Sequence, residues 1–556
     1  MSSSLPSFCT GRIGPVPGCK NVKTQKDSLV SRLIRGTRGK SAWTAVWLAA
    51  ALGSSNAVST DNAALWRPRF ATPAIVALDR AKDRQFTAEI KASPSARDWS
   101  ASIANDLKSW PCRVVSAAYA GIDNGSKPGW QVRLSVPADA SPELFALTVA
   151  CNESISVQPQ AVSVIPAFET NFYVLHITDE QIVNQFHTDP SGQYDQMVGT
   201  WEEMKWMQQP VNLIHPRFVL ITGDQIDFNG ALDGWNNWAN WGYRPHGKKI
   251  FMPRETADLE NRLSEMYKDC HKGYRVAYVE APGNHDVTPP GKWLDGSTID
   301  WHPVSVRTYE QEFGQRDWSF RMGDFYVLLH DWSSARLKAW AATDYAAALR
   351  DPAVKFRLIG QHYYTRSDCR QPFVPAKCDL MLIGHGHRTA TIQTSPYYIY
   401  EDRAAFIYGT AGFFNFRRTA GGWSCDQTAM LRNETNDVWP LFAANGKTKE
   451  VRANCPDPMN ITTNSVTIVN DLPQDFYDGR VRFVLGRGTY ETIENGTILS
   501  EYDCVGDTKT AVLVKVNIPA RGSVTVSVPI GAERQLSTSA SRKTRPGRVW
   551  DERTST

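Results

Sequence analysis

The chain contains no Cys-x-x-Cys pair in its 556 residues, which argues against zinc ribbons and thioredoxin-like redox sites. It shows no internal repeat, which argues against a repeat architecture. Long apolar runs are missing as well. The one candidate, Ala42–Leu52, spans 11 residues, well short of the roughly 20 that a membrane helix needs, so no transmembrane span is expected. A charge excess of one sign is also lacking. The formal net charge is +4, but residues 1–57 hold eight Lys/Arg against one Asp, leaving 53 basic and 56 acidic residues and a net of −3 for the rest. A body this balanced is not a polyanion binder by bulk charge, and no nucleic-acid partner is expected.

What remains is an ordinary globular composition, 42% hydrophobic and 21% charged, in a chain long enough for two to four domains. Residues 1–57 form a basic, Ser-rich leader with a short apolar run and a small-residue exit at Ser55-Asn56-Ala57. This pattern fits a signal peptide with a long n-region, with a signal anchor or an organelle transit peptide as alternatives. Eight cysteines lie beyond the leader, Cys112, Cys151, Cys270, Cys369, Cys378, Cys425, Cys455 and Cys504. In an oxidising compartment an even set of this kind forms disulfides. Proximity in sequence favours Cys112 with Cys151 and Cys369 with Cys378, although connectivity does not follow from sequence.

Residues 58–168 carry short alternating runs separated by Pro, Gly and Asn turns, the pattern of a β-sandwich. Residues 169–424 alternate strand-like runs with helical stretches at Tyr194–Gln209, Ala257–Lys268 and Ala335–Leu349, which predicts a layered α/β domain. Residues 425–531 return to alternating strands and predict a second β-rich domain, and residues 532–556 read as a disordered tail.

The middle domain carries the chemistry. Five apolar runs end in metal-ligand residue types. Asp179 follows Phe172–Thr178. Gly223-Asp224 and Asp227 follow Phe218–Thr222. Gly283-Asn284-His285-Asp286 follows Val276–Glu280. His362 follows Phe356–Gly360, and Gly384-His385-Gly386-His387 follows Leu380–Ile383. Short apolar runs bounded by Gly and polar residues read as buried strands. Ligands just beyond the carboxyl ends of such strands converge on one sheet edge. Asp, Asn and His gathered there are the inventory of a metal-assisted hydrolase. His176 and His330 lie inside strand-like runs and read as hydrogen-bonded core residues. Trp235, Trp238, Trp241 and Tyr243, with Arg244 and His246, follow the second motif as either packing or an aromatic wall for a substrate. Tyr363, Tyr364 and Arg366 follow His362 and are placed to meet a phosphate or its substituent.

This ordered set over roughly residues 170–415 resembles the calcineurin-like metallophosphoesterase superfamily. The resemblance implies an α/β fold, a four-layer α/β/β/α metallophosphoesterase sandwich, here flanked by N-terminal and C-terminal β-sandwich domains. It also implies two adjacent divalent or trivalent metal ions, Mn, Fe, Zn or Mg. One ion would take Asp179, Asp224 and His387, and the other Asp224, Asn284, His362 and His385, with Asp224 as the bridge. A water activated by both ions would be the nucleophile, His285 would contact the phosphate or protonate the leaving oxygen, and Asp286 would hold the His285 imidazole. The chain departs from the family's Asp-x-His at Gln181. Gln181 ligates, leaves its place to water, or is replaced by another group, with Asp227 a candidate. The function expected is an exported, secreted or periplasmic, metal-dependent phosphoesterase. Its substrate would be a phosphate monoester or diester, a small molecule or a lipid head group. The alternative is a catalytically degraded surface protein whose β-sandwiches bind glycan or protein, and metal content separates the two.

Overall fold

The computed structural model describes the backbone of residues 63–65, and residues 74–122, 125, 127–152, 154–180, 200–225, 273–283, 286, 316–331, 335–363, 373–386, 390–394, 397–401, 411–430, 451–506 and 508–529. Of the metal-motif residues, Gln181, Asp227, Asn284, His285 and His387 lie outside the described residues. So do the leader, the predicted helix 257–268, Trp235, Trp238, Trp241, Tyr243, Arg244, His246, Tyr364 and Arg366. Among the described residues no helix is long and apolar enough to cross a membrane.

The N-terminal part is one bent eight-stranded sheet. Its strands are β1 (Ala63–Leu65), β2 (Ala74–Ala77), β3 (Gln85–Ala92), β4 (Ser100–Ala104), β5 (Ser109–Ala118), β6 (Trp130–Ser135), β7 (Leu144–Ala150) and β8 (Ile155–Ile165), in the order β1-β3-β6-β5-β4-β7-β8-β2. The first half of β5 pairs with β4 and the second half with β6, so the sheet folds over and encloses a core of Ile90, Ile103, Trp110, Val132, Phe145 and Val162. This pairing overturns the expected Cys112–Cys151 disulfide. Both are free thiols, as is Cys378. Cys112 faces Ala101 across β4 on one side, while Ala150 faces Ser100 on the other. The two cysteines are therefore about two strand spacings apart, roughly 10 Å, beyond the Cα separation of about 7 Å that a disulfide tolerates. Cys369 lies outside the described residues, and no described cysteine is paired.

The central part holds two sheets. In the first, β9 (Asn171–Ile177), β10 (Val219–Ile221) and β11 (Tyr278–Glu280) run parallel, and β18 (Gly412–Thr419) and β19 (Gly422–Met430) complete it antiparallel in the order β11-β10-β9-β18-β19. In the second, β13 (Phe325–His330), β14 (Phe356–Gln361), β15 (Leu380–Ile383) and β17 (Tyr398–Glu401) run parallel, between antiparallel edges β12 (Trp318–Met322) and β16 (Ala390–Gln393). The two sheets meet through a cluster of rings. Phe325 lies 5.2 Å from Phe172, 4.8 Å from Phe356 and 5.1 Å from Phe416, centroid to centroid. Edge-to-face and stacked aromatic pairs at these distances add to the burial of their area. The outer face of the second sheet, Leu328, Ile359, Met381 and Ile399, buries Ala341, Tyr345 and Ala348 of helix α2 (Ala335–Arg350).

Helix α1 spans Thr200–Ile214, five residues past its predicted end, and runs through Pro210. An interior proline costs about 3 kcal/mol. Val211, Leu213 and Ile214 are all wholly buried beyond it, and each such burial contributes about 1.5–3 kcal/mol, so the apolar face outweighs the break.

The C-terminal strands form two three-stranded sheets. β20 (Val451–Ala453), β21 (Ser465–Asn470) and β25 (Gly522–Ser527) make one, and β22 (Phe476–Gly486), β23 (Thr497–Asp503) and β24 (Lys509–Ile518) make the other. Their apolar faces have no core of their own. Val466, Ile468, Phe483 and Val514 extend the central core, while Val484, Tyr502 and Ala511 extend the N-terminal one. Arg482 is sealed in the second seam, its side chain 1% exposed. Its Nε donates to the Met459 carbonyl at 2.7 Å, Nη1 to Glu143 Oε1 at 2.6 Å, and Nη2 to both Asp106 oxygens at 2.8 and 2.9 Å.

Candidate metal centre

The parallel strands of both sheets end on one edge. Register places Ile177, Ile221 and Glu280 level in the first sheet, and His330 level with Gln361 in the second. The next residues on each strand, Thr178-Asp179, Thr222-Gly223-Asp224, Asp331 and His362, therefore crowd the same edge, as open α/β sheets gather their ligands. Asp224, His362 and His385 each offer a donor atom within 4.8 Å of the others.

The backbone there is unusual. Eight described non-glycine residues have positive φ, and three are Asp179 (52°), Asp224 (55°) and His385 (74°). A left-handed residue lets the chain turn sharply off a strand so that its side chain swings over the strand end. Such conformations cost about 1–3 kcal/mol each and persist where the surroundings fix them. Here each amide is fixed. Asp179 N donates to the Gly223 carbonyl at 3.0 Å, Asp224 N to Asp286 Oδ2 at 2.9 Å, and His385 N to Asp179 Oδ2 at 2.9 Å. Gly223, at φ +96°, has no alternative residue, since a Cβ would lie 2.5 Å from Gly283 N and 2.9 Å from His362 Nδ1.

His362 is wholly buried. Its Nδ1 donates to the Thr222 carbonyl at 2.7 Å, and its Nε2 faces Asp224 Oδ2 at 3.2 Å. The backbone acceptor fixes the tautomer and leaves the Nε2 lone pair turned to the site. Burial opposes the charged imidazole, but Asp224, and then Asp179, outweigh it and push its pKa up to about 9. When the imidazole is protonated this approach is an ion pair. The same two atoms, a carboxylate oxygen and an imidazole nitrogen, suit Mn, Fe or Zn as ligands.

Asp179 is wholly buried, with Oδ2 also accepting from Thr178 Oγ1 at 2.8 Å. Asp286 is buried too. Its Oδ2 accepts from the amides of Gly283 at 2.7 Å, Asp224 at 2.9 Å and Gln225 at 3.4 Å, so it ties the second and third motifs together. The structure thus brings Asp179, Asp224, Asp286, His362 and His385 to one edge. His176 and His330 are buried core groups, as expected, bonded to Thr222 Oγ1 at 2.8 Å and Asp317 Oδ2 at 2.9 Å.

Sequence reasoning missed several neighbours. Thr178 and Thr222 hold Asp179 and His362, and a signal existed, because both strands end in Ile-Thr before their Asp or Gly-Asp. Glu180, Glu280 and Glu401 are 0, 2 and 4% exposed at the same strand ends, and Glu401 lies where a Cβ on Gly386 would have to go. Nothing in their local sequence marks them.

No family model matches the chain, and no curated protein matches it. Solved structures do. The chain is similar to PhoD, at 9% identity over 68% of this chain and 94% of that one, with a TM-score of 0.32. It is similar to a dimetal phosphatase from Danio rerio, at 12% over 47% and 98%, TM-score 0.28. It is also similar to phosphopantetheinyl hydrolase from Mycobacterium tuberculosis, at 10% over 42% and 90%, TM-score 0.21. PhoD and the dimetal phosphatase are of the calcineurin-like metallophosphoesterase kind that the motifs resemble. TM-scores this small leave the reading of the site to its own residues.

Proposed function

We propose that the protein is a metal-dependent phosphoesterase that hydrolyses a phosphate monoester or diester with a metal-activated water. One observation carries the reading: donor atoms of Asp224, His362 and His385 converge within 4.8 Å at the carboxyl ends of parallel strands. Asp179, Asp224, Asn284, His362, His385 and His387 would hold two metal ions, with Gln181 at the remaining place. Bound there, the ions supply Lewis-acid charge and a water of lowered pKa.

The chain's own groups do the rest. Thr222 and Thr178 orient His362 and Asp179. Asp286 holds the Gly283 and Asp224 amides, and so sets the spacing of two motifs. His285, between Gly283 and Asp286 in sequence, is the group we assign to the phosphate or the leaving oxygen. The reading carries with it a four-layer α/β/β/α core, supported by α2 on the second sheet, and β-sandwich flanks, supported by the bent N-terminal sheet. Export rests on the leader alone. A small phosphate ester or a lipid head group is the substrate class.

The test is turnover of p-nitrophenyl phosphate and its bis-ester by the full chain with Mn²⁺, beside Asp224→Asn. We expect turnover of at least one ester, reduced at least a hundredfold in the variant. Equal turnover in the variant, or metal-bound protein inert to both esters and to a panel of lipid phosphates, would refute the reading.

A further inference from the structure

Tyr363 directly follows His362 and is 3% exposed, yet it belongs to none of the three apolar cores. Its ring sits among imidazoles instead. The Tyr363 and His385 rings lie 4.0 Å apart, centroid to centroid, at 44°. The His362 ring is 5.0 Å away, edge-on at 85°, and the two imidazoles are 5.3 Å from each other. The ring is thus in contact with two of the three residues whose donor atoms converge.

His385 is the residue that most needs such a wall. Its backbone is left-handed at φ 74°, its amide is held by Asp179, and it is the least buried of the three converging residues. Those restraints act on the backbone, whereas the Tyr363 ring meets the imidazole itself. A flat group in van der Waals contact limits how the imidazole turns before any ligand arrives, and groups behind a metal's ligands commonly change affinity tenfold to a hundredfold.

We infer that Tyr363 is a positioning residue: its ring holds the His385 imidazole, and through the edge contact His362, in the orientation that binds a metal ion. The inference rests on the metal-site reading above. It further requires the effect to be selective. His362 and His385 would both serve the ion that Asp224 and Asn284 also hold, whereas the other ion would take Asp179, Asp224 and His387, so the effect falls on the first. The inference concerns the ring contact, which a phenylalanine keeps.

The test is metal binding rather than turnover. Full-length protein stripped with a chelator is titrated with Co²⁺ and followed by calorimetry and visible absorbance, for the wild type, Tyr363→Phe and Tyr363→Leu. We expect the Leu variant to weaken one binding event about tenfold, with a changed Co²⁺ spectrum, and to leave the other within twofold. The Phe variant should match the wild type within twofold. Melting of the metal-free proteins checks that the variants fold. Should the Leu variant not fold, Tyr363→Met, which fills the space with a flexible chain, replaces it. Unchanged binding in the Leu or Met variant overturns the inference, as does equal weakening of both events or a Phe variant as weak as Leu. A wild-type protein that takes up no Co²⁺ is a different result, which removes the metal-site reading and this inference with it.

Discussion

Two histidines in this molecule sit in opposite electrostatic company. His362, at the strand-end edge, faces Asp224 and Asp179, and its pKa is pushed up to about 9 although burial opposes the charge. His215, just past helix α1, keeps a partly exposed surface, but its Nδ1 is buried and makes no hydrogen bond. Burial lowers its pKa, the nearby Arg480 lowers it further, and it falls to about 3. The carboxylate near His215, Asp478, is already engaged by Arg480 at 2.6 Å and Lys515 at 3.3 Å. The seam around the C-terminal strands therefore settles its charges internally, with Arg482 bound to Glu143 and Asp106 as a second case. The strand-end edge gathers carboxylates and imidazoles whose donor atoms could hold a cation. Both regions are buried and ionic, so burial and charge alone do not mark a functional site. The sign of what faces each group distinguishes them, since the backbone is left-handed at His215 as well as at Asp179, Asp224 and His385.

The largest expected effect that probes this contrast lies in the seam. Arg482→Leu leaves Glu143 buried without its cation and Asp106 with Arg275 alone, at 3.8 Å, and breaking such a buried pair costs about 3–5 kcal/mol. Denaturant unfolding should show that loss, and added metal should not restore it. A loss below about 1 kcal/mol would mean the seam tolerates open charge and is no foil for the site.

Next in size are two pH effects of opposite direction in metal-free protein. His362 has a folded pKa of about 9 against an ordinary 6.5. Its contribution, on the order of 3 kcal/mol, is fully present below pH 6.5 and lost as pH rises through 9. His215 has a folded pKa of about 3, so the unfolded chain takes up a proton that the folded one refuses. Stability then falls by about 1 kcal/mol per unit as pH drops from 6.5 towards 3. Melting curves across pH should lose the alkaline slope in His362→Asn and the acid slope in His215→Gln. Slopes unaltered by either change would contradict the assigned surroundings.

Much of the site could be read in the sequence because its residues occupy positions with a local signature. Asp179, Asp224, His362 and His385 each follow an apolar run that became a parallel strand, and parallel strands put their carboxyl ends together. The glycines beside them, Gly223 and Gly384, were visible in the motifs, and the structure supplies the reason: no Cβ fits at either. The seam was not legible, because Arg482 meets partners 339 and 376 positions away, and nothing local distinguishes it from a solvated strand arginine. The same holds for Glu401, brought under Gly386 by the pairing of β17 with β15. The continuation of α1 through Pro210 depends on burial of Val211, Leu213 and Ile214, a tertiary effect that outweighs a correct local rule. The Cys112–Cys151 pairing was misjudged because proximity in sequence ignores the strand β4 lying between them.

The central claim is that the strand-end edge is built for cations. Its most direct test is metal content, measured by elemental analysis of full-length protein equilibrated with Mn²⁺ and then desalted, beside Asp224→Asn. The account predicts close to two ions per wild-type chain and at most one in the variant, because the bridging carboxylate serves both. A wild-type chain that retains none, or a variant that retains as many as the wild type, would contradict it.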